Sequence, residues 1–330
     1  MFTSSSEEIV NGHVEPLAVF GYAQRARCPG CGEPVGRSRE AMHSDPRAEA
    51  LSPEEHGKFL SGYDAKRVFF SYRRCASCAL LYCPTYYSQA QSERLYGRQP
   101  ENMAEVPLSA RVRTQQRYVE IVVPETAPDG DYLELGADIG IFARLCSERR
   151  RFGRYVLYEP NSEVRQEIDD RLQGLEYTVV AQNFAPTDVR PDSVSLAVVV
   201  HVLDHVWEPA QVLRGLYQVM RPGGRVFIVT HDEKSTLARV LGRRWPPYTL
   251  QHPQLFSAAS LRQIAERCGF EVIRTVKTVN YFPLFFLLGA ALQVLGLSDR
   301  FLPRLAAPQI ELRLGNIALL ATKANQRRTP

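Results

Sequence analysis

Two cysteine pairs carry the first recognisable chemistry. Cys28-Pro29-Gly30-Cys31 and Cys75-Ala76-Ser77-Cys78 each place two thiols three residues apart, a spacing that lets one turn present both sulfurs to one cation. Together Cys28, Cys31, Cys75 and Cys78 make a closed set of four thiolates. That set suits a structural Zn2+ and leaves the ion no open position for catalysis. The competing reading is two pairs of buried or redox-active thiols. Forty-three residues separate the pairs, more than a usual zinc-ribbon gap. They include a polar stretch, 36–57, expected to be mobile, then a strand-like run from Arg67 to Tyr72. His43 and His56 lie in the gap and are expected to be solvated, and Cys83 is expected to be a packed thiol.

A second group of residues could cradle a nucleotide. In Tyr132-Leu133-Glu134-Leu135-Gly136-Ala137-Asp138-Ile139-Gly140 a short apolar strand runs into a glycine-containing turn and then a helix, the opening of a Rossmann-type unit. Gly136 lets backbone approach a ligand, and Gly140 lets the first helical turn pack near the strand. Asp138 stands at the middle glycine position, and aspartate tolerates positive φ better than most residues. Glu159 ends the next strand 19 residues beyond Gly140, where a carboxylate can accept from both ribose hydroxyls. A third group is histidine. His201 and His205 stand four apart in His201-Val202-Leu203-Asp204-His205, and His231 ends a later strand. Imidazole titrates near neutrality and suits proton removal from an acceptor. On a helical turn His201 and His205 would share a face. His252 and Tyr248 are a further pair placed to approach from a lid.

The elements that must position these groups alternate. Strands are expected at 132–135, 154–158, 177–181, 196–200, 225–230 and 270–276, with helices between them, which is the pattern of a parallel sheet. A last strand, 316–322, is expected to pair antiparallel with the sixth. Residues 107–123 read as a helix broken by Pro124 and the turn at 128–130. Ser257 and Gly269 bracket a helix as caps. The expected organisation is an N-terminal zinc-binding domain over 1–106, a helical linker over 107–130 and an α/β domain over 131–322. An apolar insertion falls near 281–310 and a tail at 323–330.

The set Glu134-Leu135-Gly136 through Gly140, Tyr158-Glu159-Pro160, the run from His201 to Pro209 and Arg221-Pro222-Gly223-Gly224 resembles a class I S-adenosylmethionine-dependent methyltransferase over about 131–322. The resemblance implies a Rossmann-like sheet, parallel with an antiparallel C-terminal hairpin, preceded by a small zinc-ribbon-like domain. It implies that Glu134 meets the methionine end of the cofactor, that Gly136, Asp138 and Gly140 approach it, and that Glu159 holds the ribose. Asn183 and Phe184 would border the adenine, and Val200 and His201 would lie near the sulfonium. With its double cysteine knuckle the chain is similar to bacterial methyltransferases that act on sugars and natural-product or glycan precursors. His201, His205 and His231 are the candidate bases.

The bulk composition sets outer bounds. A 45% apolar and 23% charged chain with net charge +4 is that of a globular protein and does not itself point to nucleic acid. The N-terminus has no basic-then-apolar signal pattern, so a cytoplasmic protein is expected. The apolar stretch 281–297 is too short for a confident span. It is read either as a cap or dimer face, or as a peripheral membrane contact for a lipid-linked substrate. A small-molecule substrate and a monomer or homodimer are expected. The rival readings are an RNA methyltransferase gripping RNA through Arg25, Arg27, Arg37, Arg39, Arg73 and Arg74, a nicotinamide-dependent oxidoreductase, and a catalytically silent scaffold.

Overall fold

The computed structural model describes residues 21–59, 66–88, 90–92, 106–126, 129–294, 297 and 308–324. The first strands are short: β1 (Ala23–Gln24), β2 (Ser38–Met42), β3 (Tyr72–Cys75), β4 (Leu81–Tyr82) and β5 (Thr85–Tyr86). The central sheet is built from β6 (Asp131–Leu135), β7 (Tyr155–Tyr158), β8 (Tyr177–Val180), β9 (Val194–Val200) and β10 (Met220–His231). After β11 (Gln254–Leu255) come β12 (Phe270–Lys277), β13 (Asn280–Pro283), β14 (Gln309–Leu312) and β15 (Asn316–Lys323). The seven-stranded sheet has the order β12-β15-β10-β9-β6-β7-β8. Its pairs from β10 to β8 are parallel, and β15 runs antiparallel to both β10 and β12. The sheet is therefore the expected α/β one with a reversed C-terminal strand.

Both faces of this sheet are covered, and the period-2 alternation of strand side chains shows how. Leu133, Ala197, Val199, Val226, Ile228 and Leu319 belong to one core with Leu213 and Leu216 of the helix Pro209–Val219 and Leu261 and Ile264 of Ala258–Arg267. Tyr132, Leu196, Val198, Phe227, Val229 and Leu320 belong to the other, with helices Leu108–Val122, Ile141–Arg149 and Arg165–Arg171. Strand β6 connects to β7 on one side and β9 to β10 on the other, so β6 and β9 meet where the strand order reverses. Ligand crevices in open α/β sheets form at that point, beyond the carboxyl ends of the strands.

The N-terminal module does not stand apart from this sheet. Strands β2, β3 and β4 form an antiparallel sheet that takes β11, from beyond β10, as its fourth strand. An aromatic core joins Phe69, Phe70, Tyr72 and Tyr86 to Trp245, Tyr248 and Leu250. The stretch 36–57 departs from its expectation as a mobile polar loop. It carries β2, and Ser52 caps the short helix Pro53–His56 with a reciprocal bond to Glu55. His56 is likewise not solvated. It is fully buried, with Nε2 on the Ala48 carbonyl and Nδ1 on the Tyr87 hydroxyl. Cys83 is the packed thiol expected, 1% exposed. Within the apolar stretch 281–297 the described residues form β13, which pairs with β14, and the helix Leu284–Val294; 298–307 of the expected insertion and 325–330 of the expected tail lie outside the described residues. Among the described residues no helix is long and apolar enough to cross a membrane.

Candidate active site and cysteine cluster

A cleft of about 2900 Å³ opens above the carboxyl ends of β6, β7, β9 and β10. Glu134, Gly136, Asp138, Glu159, Asn183, Phe184, Val200, His201, His205 and His231 all line it. Gly140 does not. It caps the helix Ile141–Arg149 in the left-handed region, and its close neighbour is Ile168 of the helix Arg165–Arg171 rather than the strand expected.

The glycine turn is built for close approach. Gly136 has φ +69°, and a Cβ there would stand 2.4 Å from Cγ2 of Val202. Asp138 adopts φ +49°, and its carboxylate is held by Arg111 from the helix Leu108–Val122. The turn therefore accommodates the aspartate. Asp138 N–H donates to Glu159 Oε2 at 2.8 Å, and Asn161 N–H donates to Glu159 Oε1 at 2.9 Å. Each carboxylate oxygen keeps accepting capacity beyond these bonds. Burial pushes the Glu159 carboxyl above its ordinary range, against the pull of the two N–H groups. Glu134 is 2% exposed and accepts from Tyr132 Oη at 2.7 Å. Burial, with the Asp138 and Glu159 carboxylates nearby, pushes it up to about 8. Phe184 stands edge-on to Tyr158, whose buried hydroxyl has no partner among the described residues. A crowded glycine, a carboxylate fixed by backbone, an orphaned hydroxyl and a buried acid fit a nucleoside bearing a cationic amino-acid tail.

The four histidines at the cleft form a row of neighbouring rings, with His231 and His252 in the middle, ring centres 5.0 Å apart. The segment from His201 to His205 is a turn rather than a helix, with His201 at φ +53°, so His201 and His205 do not share a face. His201 lies tilted against His231, ring centres 4.6 Å apart, and His205 meets His252 edge-on at 4.5 Å. His231 Nδ1 lies 2.6 Å from Oδ2 of Asp204, which is wholly buried. Burial alone would raise the Asp204 carboxyl, but the His231 bond and the surrounding imidazoles outweigh it and hold it well below the carboxylate range. Nδ1 of His231 is then the protonated nitrogen, and Nε2 is free to accept. Asn316 donates its amide to His201 Nε2, leaving the His201 proton on Nδ1, which has no partner among the described residues. Burial and the neighbouring His231 push His201 down to about 3, which makes it a donor rather than a base. His252 Nδ1 faces the Pro247 carbonyl at 2.7 Å, so its Nε2 accepts from His205 Nε2 at 3.1 Å. His201, Asp204 and His231 also offer ligand atoms within 4.8 Å of one another, but the short Asp204–His231 bond already occupies one pair.

Sequence reasoning missed Asp204 as the partner of His231. The signal was present in the run His201-Val202-Leu203-Asp204-His205, where only the imidazoles were read as reactive. It also missed Arg111 beneath the glycine turn. The lid pair separates: His252 reaches the cleft, whereas Tyr248 packs on Phe69 and Tyr72.

Away from the cleft, Cys28, Cys31, Cys75 and Cys78 converge with all four sulfurs within 4.8 Å of one another. The two knuckles fold alike. In each, the first cysteine carbonyl accepts from the residue four on, Gly32 or Ala79, both at positive φ. Sulfur pairs Cys28–Cys78 and Cys31–Cys75 stand 3.5 Å apart, close to the spacing that tetrahedral thiolates about 2.3 Å from a zinc ion would take.

A family model described as a methyltransferase domain matches residues 109–275. The ubiquinone biosynthesis O-methyltransferase of Aeromonas salmonicida (strain A449) is 34% identical over 126 residues, 34% of this chain and 52% of that protein. A Mycolicibacterium smegmatis (strain ATCC 700084 / mc(2)155) protein named "Probable S-adenosylmethionine-dependent methyltransferase" is 34% identical over 127 residues, 33% of this chain and 47% of its own length. The chain thus spans about half the length of these curated relatives. Among solved structures, a SAM-dependent methyltransferase from Thermotoga maritima aligns with 18% identity and TM-score 0.43 over 65% of this chain and 90% of that one.

Proposed function

The chain belongs to the methyltransferase-domain family, and from that premise we propose that it moves a methyl group from S-adenosylmethionine to a hydroxyl of a small-molecule acceptor. The observation that carries this reading is the 2.6 Å Asp204–His231 bond at the cleft. When bound, S-adenosylmethionine supplies an electrophilic methyl on a sulfonium. The protein's part is alignment and proton removal. Glu159 holds the ribose hydroxyls, Glu134 the amino end, Gly136 and Asp138 let the turn close on the ligand, and Phe184 and Asn183 border the base. Val200 and His201 end the strand nearest the reacting centre. His231 Nε2 takes the acceptor proton. Asp204 keeps that imidazole in the useful tautomer and offsets the positive charge it gains. His201 Nδ1–H orients the acceptor, and His205 braces the site through His252.

An oxygen acceptor agrees with the name of the Aeromonas relative. A sugar, glycan or natural-product precursor rests on the residue resemblance alone. The apolar wall formed by Phe282, Phe286, Leu287 and Ala290 favours an acceptor with an apolar portion, a lipid-linked one included. The RNA reading loses support. Arg25 is buried, Arg74 is paired with Glu233, and Arg73 is spent on Ser38. The cysteine cluster is proposed to hold a structural Zn2+.

The test begins with calorimetric titration by S-adenosylmethionine and S-adenosylhomocysteine, with NAD as control. Micromolar binding lost in Glu159→Ala is expected; a folded protein that binds neither sinks the reading. An acceptor panel of phenols, sugar nucleotides and prenylated phenols is then scored for a 14 Da gain and S-adenosylhomocysteine release. Asp204→Asn should lower transfer about 100-fold or more without weakening S-adenosylhomocysteine binding. Equal transfer by that variant would remove the acid–base role.

A further inference from the structure

Arg25 enters from the N-terminal module and ends against the loop that carries Asp204 and His205. It is 7% exposed, yet among the described residues no carboxylate lies within ion-pair distance of it. Its guanidinium instead donates to the carbonyls of Cys83 at 3.2 Å, Pro253 at 3.3 Å and Trp207, and to Gln254 Oε1 at 3.0 Å. Its plane lies over the Trp207 ring, 3.8 Å from the centroid. Burial pushes it down to about 10. A buried cation whose hydrogen bonds go to neutral groups, with the Glu208 carboxylate attracting it only from beyond ion-pair distance, is an expensive way to fill space, and here it ties together three distant segments of chain.

The consequence runs through Gln254, which is wholly buried. Its Oε1 takes the Arg25 bond, and its Nε2 donates to the carbonyls of Leu203 at 2.8 Å and Val206 at 2.7 Å. With the amide turned over, nitrogen would face the guanidinium and oxygen would face two carbonyls, so Arg25 and the two carbonyls together hold one orientation. Leu203 and Val206 flank Asp204 and His205. On the other side, Pro253 directly follows His252, the partner of His205.

We propose that Arg25 is a positioning residue: it anchors the Gln254 amide and the Trp207 and Pro253 carbonyls and, through them, the turn that aligns Asp204 with His231 and His205 with His252. The N-terminal module would thereby complete the acid–base site without touching the acceptor. The proposal takes Asp204 and His231 as the acid–base pair, but what it asserts is their alignment, which can be read without turnover.

The experiment uses the full-length, zinc-replete protein labelled with 15N in its seven histidines. At pH 7.5 the imidazole nitrogen shifts report tautomer and hydrogen bonding. Arg25→Lys and Arg25→Gln are expected to broaden or move the Nδ1–H signal of His231 and to mix the tautomers of His205 and His252. His56, buried inside the N-terminal module, should keep its signal, and S-adenosylhomocysteine affinity should stay within about twofold, because neither depends on the Gln254 amide. With any acceptor found in the panel, kcat should fall about 10- to 100-fold with little change in KM for the cofactor. Unchanged His205, His231 and His252 signals in a folded Arg25→Gln protein would overturn the proposal. So would an equal loss at His56, which would mean a purely structural role. If the Arg25 variants do not fold, Trp207→Leu removes the ring under the guanidinium, along with its stacking on Tyr86, while keeping the Trp207 carbonyl, and should move the same three signals less; no movement there overturns the proposal as well. Failure of the acid–base reading would look different, since Asp204→Asn would then leave transfer intact while the response to Arg25 remained.

Discussion

Glu134 and Glu159 share the mouth of one turn but are held differently. Glu159 rests on two backbone N–H groups, whereas for Glu134 full burial and the neighbouring Asp138 and Glu159 carboxylates outweigh the Tyr132 hydroxyl and the Ala143 N–H, and its folded pKa rises to about 8. Between the ordinary carboxyl value and about 8 the folded chain holds a proton that the unfolded chain has released. In that window this group lowers stability as pH rises. A cofactor bringing an ammonium group to Glu134 favours the ionised form and must expel that proton. Affinity for S-adenosylhomocysteine is therefore expected to rise between pH 6 and 7.5, by at most about tenfold per pH unit for one linked proton. At pH 7 the apparent binding enthalpy should vary with the ionisation heat of the buffer. Glu134→Gln should abolish both effects; if the pH slope survives that change, the proton comes from elsewhere. Glu159 was legible from its spacing beyond the glycine turn, and Glu134 only through the resemblance to a methyltransferase motif. Arg25 was not. Read in sequence it was one of six basic residues suited to RNA, and nothing local marks it as buried. Its partners Trp207 and Gln254 lie 182 and 229 residues away, and only the fold brings them together.

At the scale of elements, the glycine turn and the histidine loop are one packed unit. The Cβ that Gly136 lacks would fall on Val202, the residue next to His201. Gly136→Ala should therefore cost about 1–2 kcal/mol for left-handed backbone and about 1–3 kcal/mol for overpacking, read from urea unfolding. Adding Val202→Ala should recover the packing part and leave the backbone part. Recovery of the whole, or of nothing, would contradict the contact. The strands were legible because β6, β9 and β10 alternate between two apolar cores, each covered by helices. What stayed hidden was the conformation of the segment 201–205. Four-residue spacing suggests a shared helical face, but His201 leaves β9 in the left-handed region, and the two imidazoles take separate partners. The stretch 36–57 was misread for a similar reason. Its polar composition signals a loop, while β2 is an edge strand of mostly exposed residues stabilised by pairing with β3.

For the whole molecule, the N-terminal module and the methyltransferase sheet share structure that neither can supply alone. The two-residue β11 completes the small sheet from the far side of β10, a pairing too short and too remote to leave a trace in the pattern of residues. Tyr72 and Tyr86 donate their hydroxyls to the His252 and Leu250 carbonyls at 2.6 and 2.9 Å. Arg74 makes a two-pronged bond to Glu233, whose side chain is 3% exposed. Without residues 1–106, Trp245, Leu250 and Leu255 would lose the aromatic core that buries them, and Glu233 would exchange its two-pronged Arg74 bond for the looser contact with Lys234 at 3.7 Å. A chain starting at residue 107 is therefore expected to aggregate or to run as an expanded species on size exclusion. Removing the cation proposed at the four cysteines should produce a milder form of the same loss, because the knuckle strands β3 and β4 carry Arg74 and the pairing with β11. Thermal unfolding after chelation, or in Cys31→Ser, should begin at lower temperature, with His252 exposed before the central sheet melts. If the shortened chain instead runs as a compact monomer and binds S-adenosylhomocysteine at full affinity, the module is an appendage, and the acid–base loop must hold its shape without it.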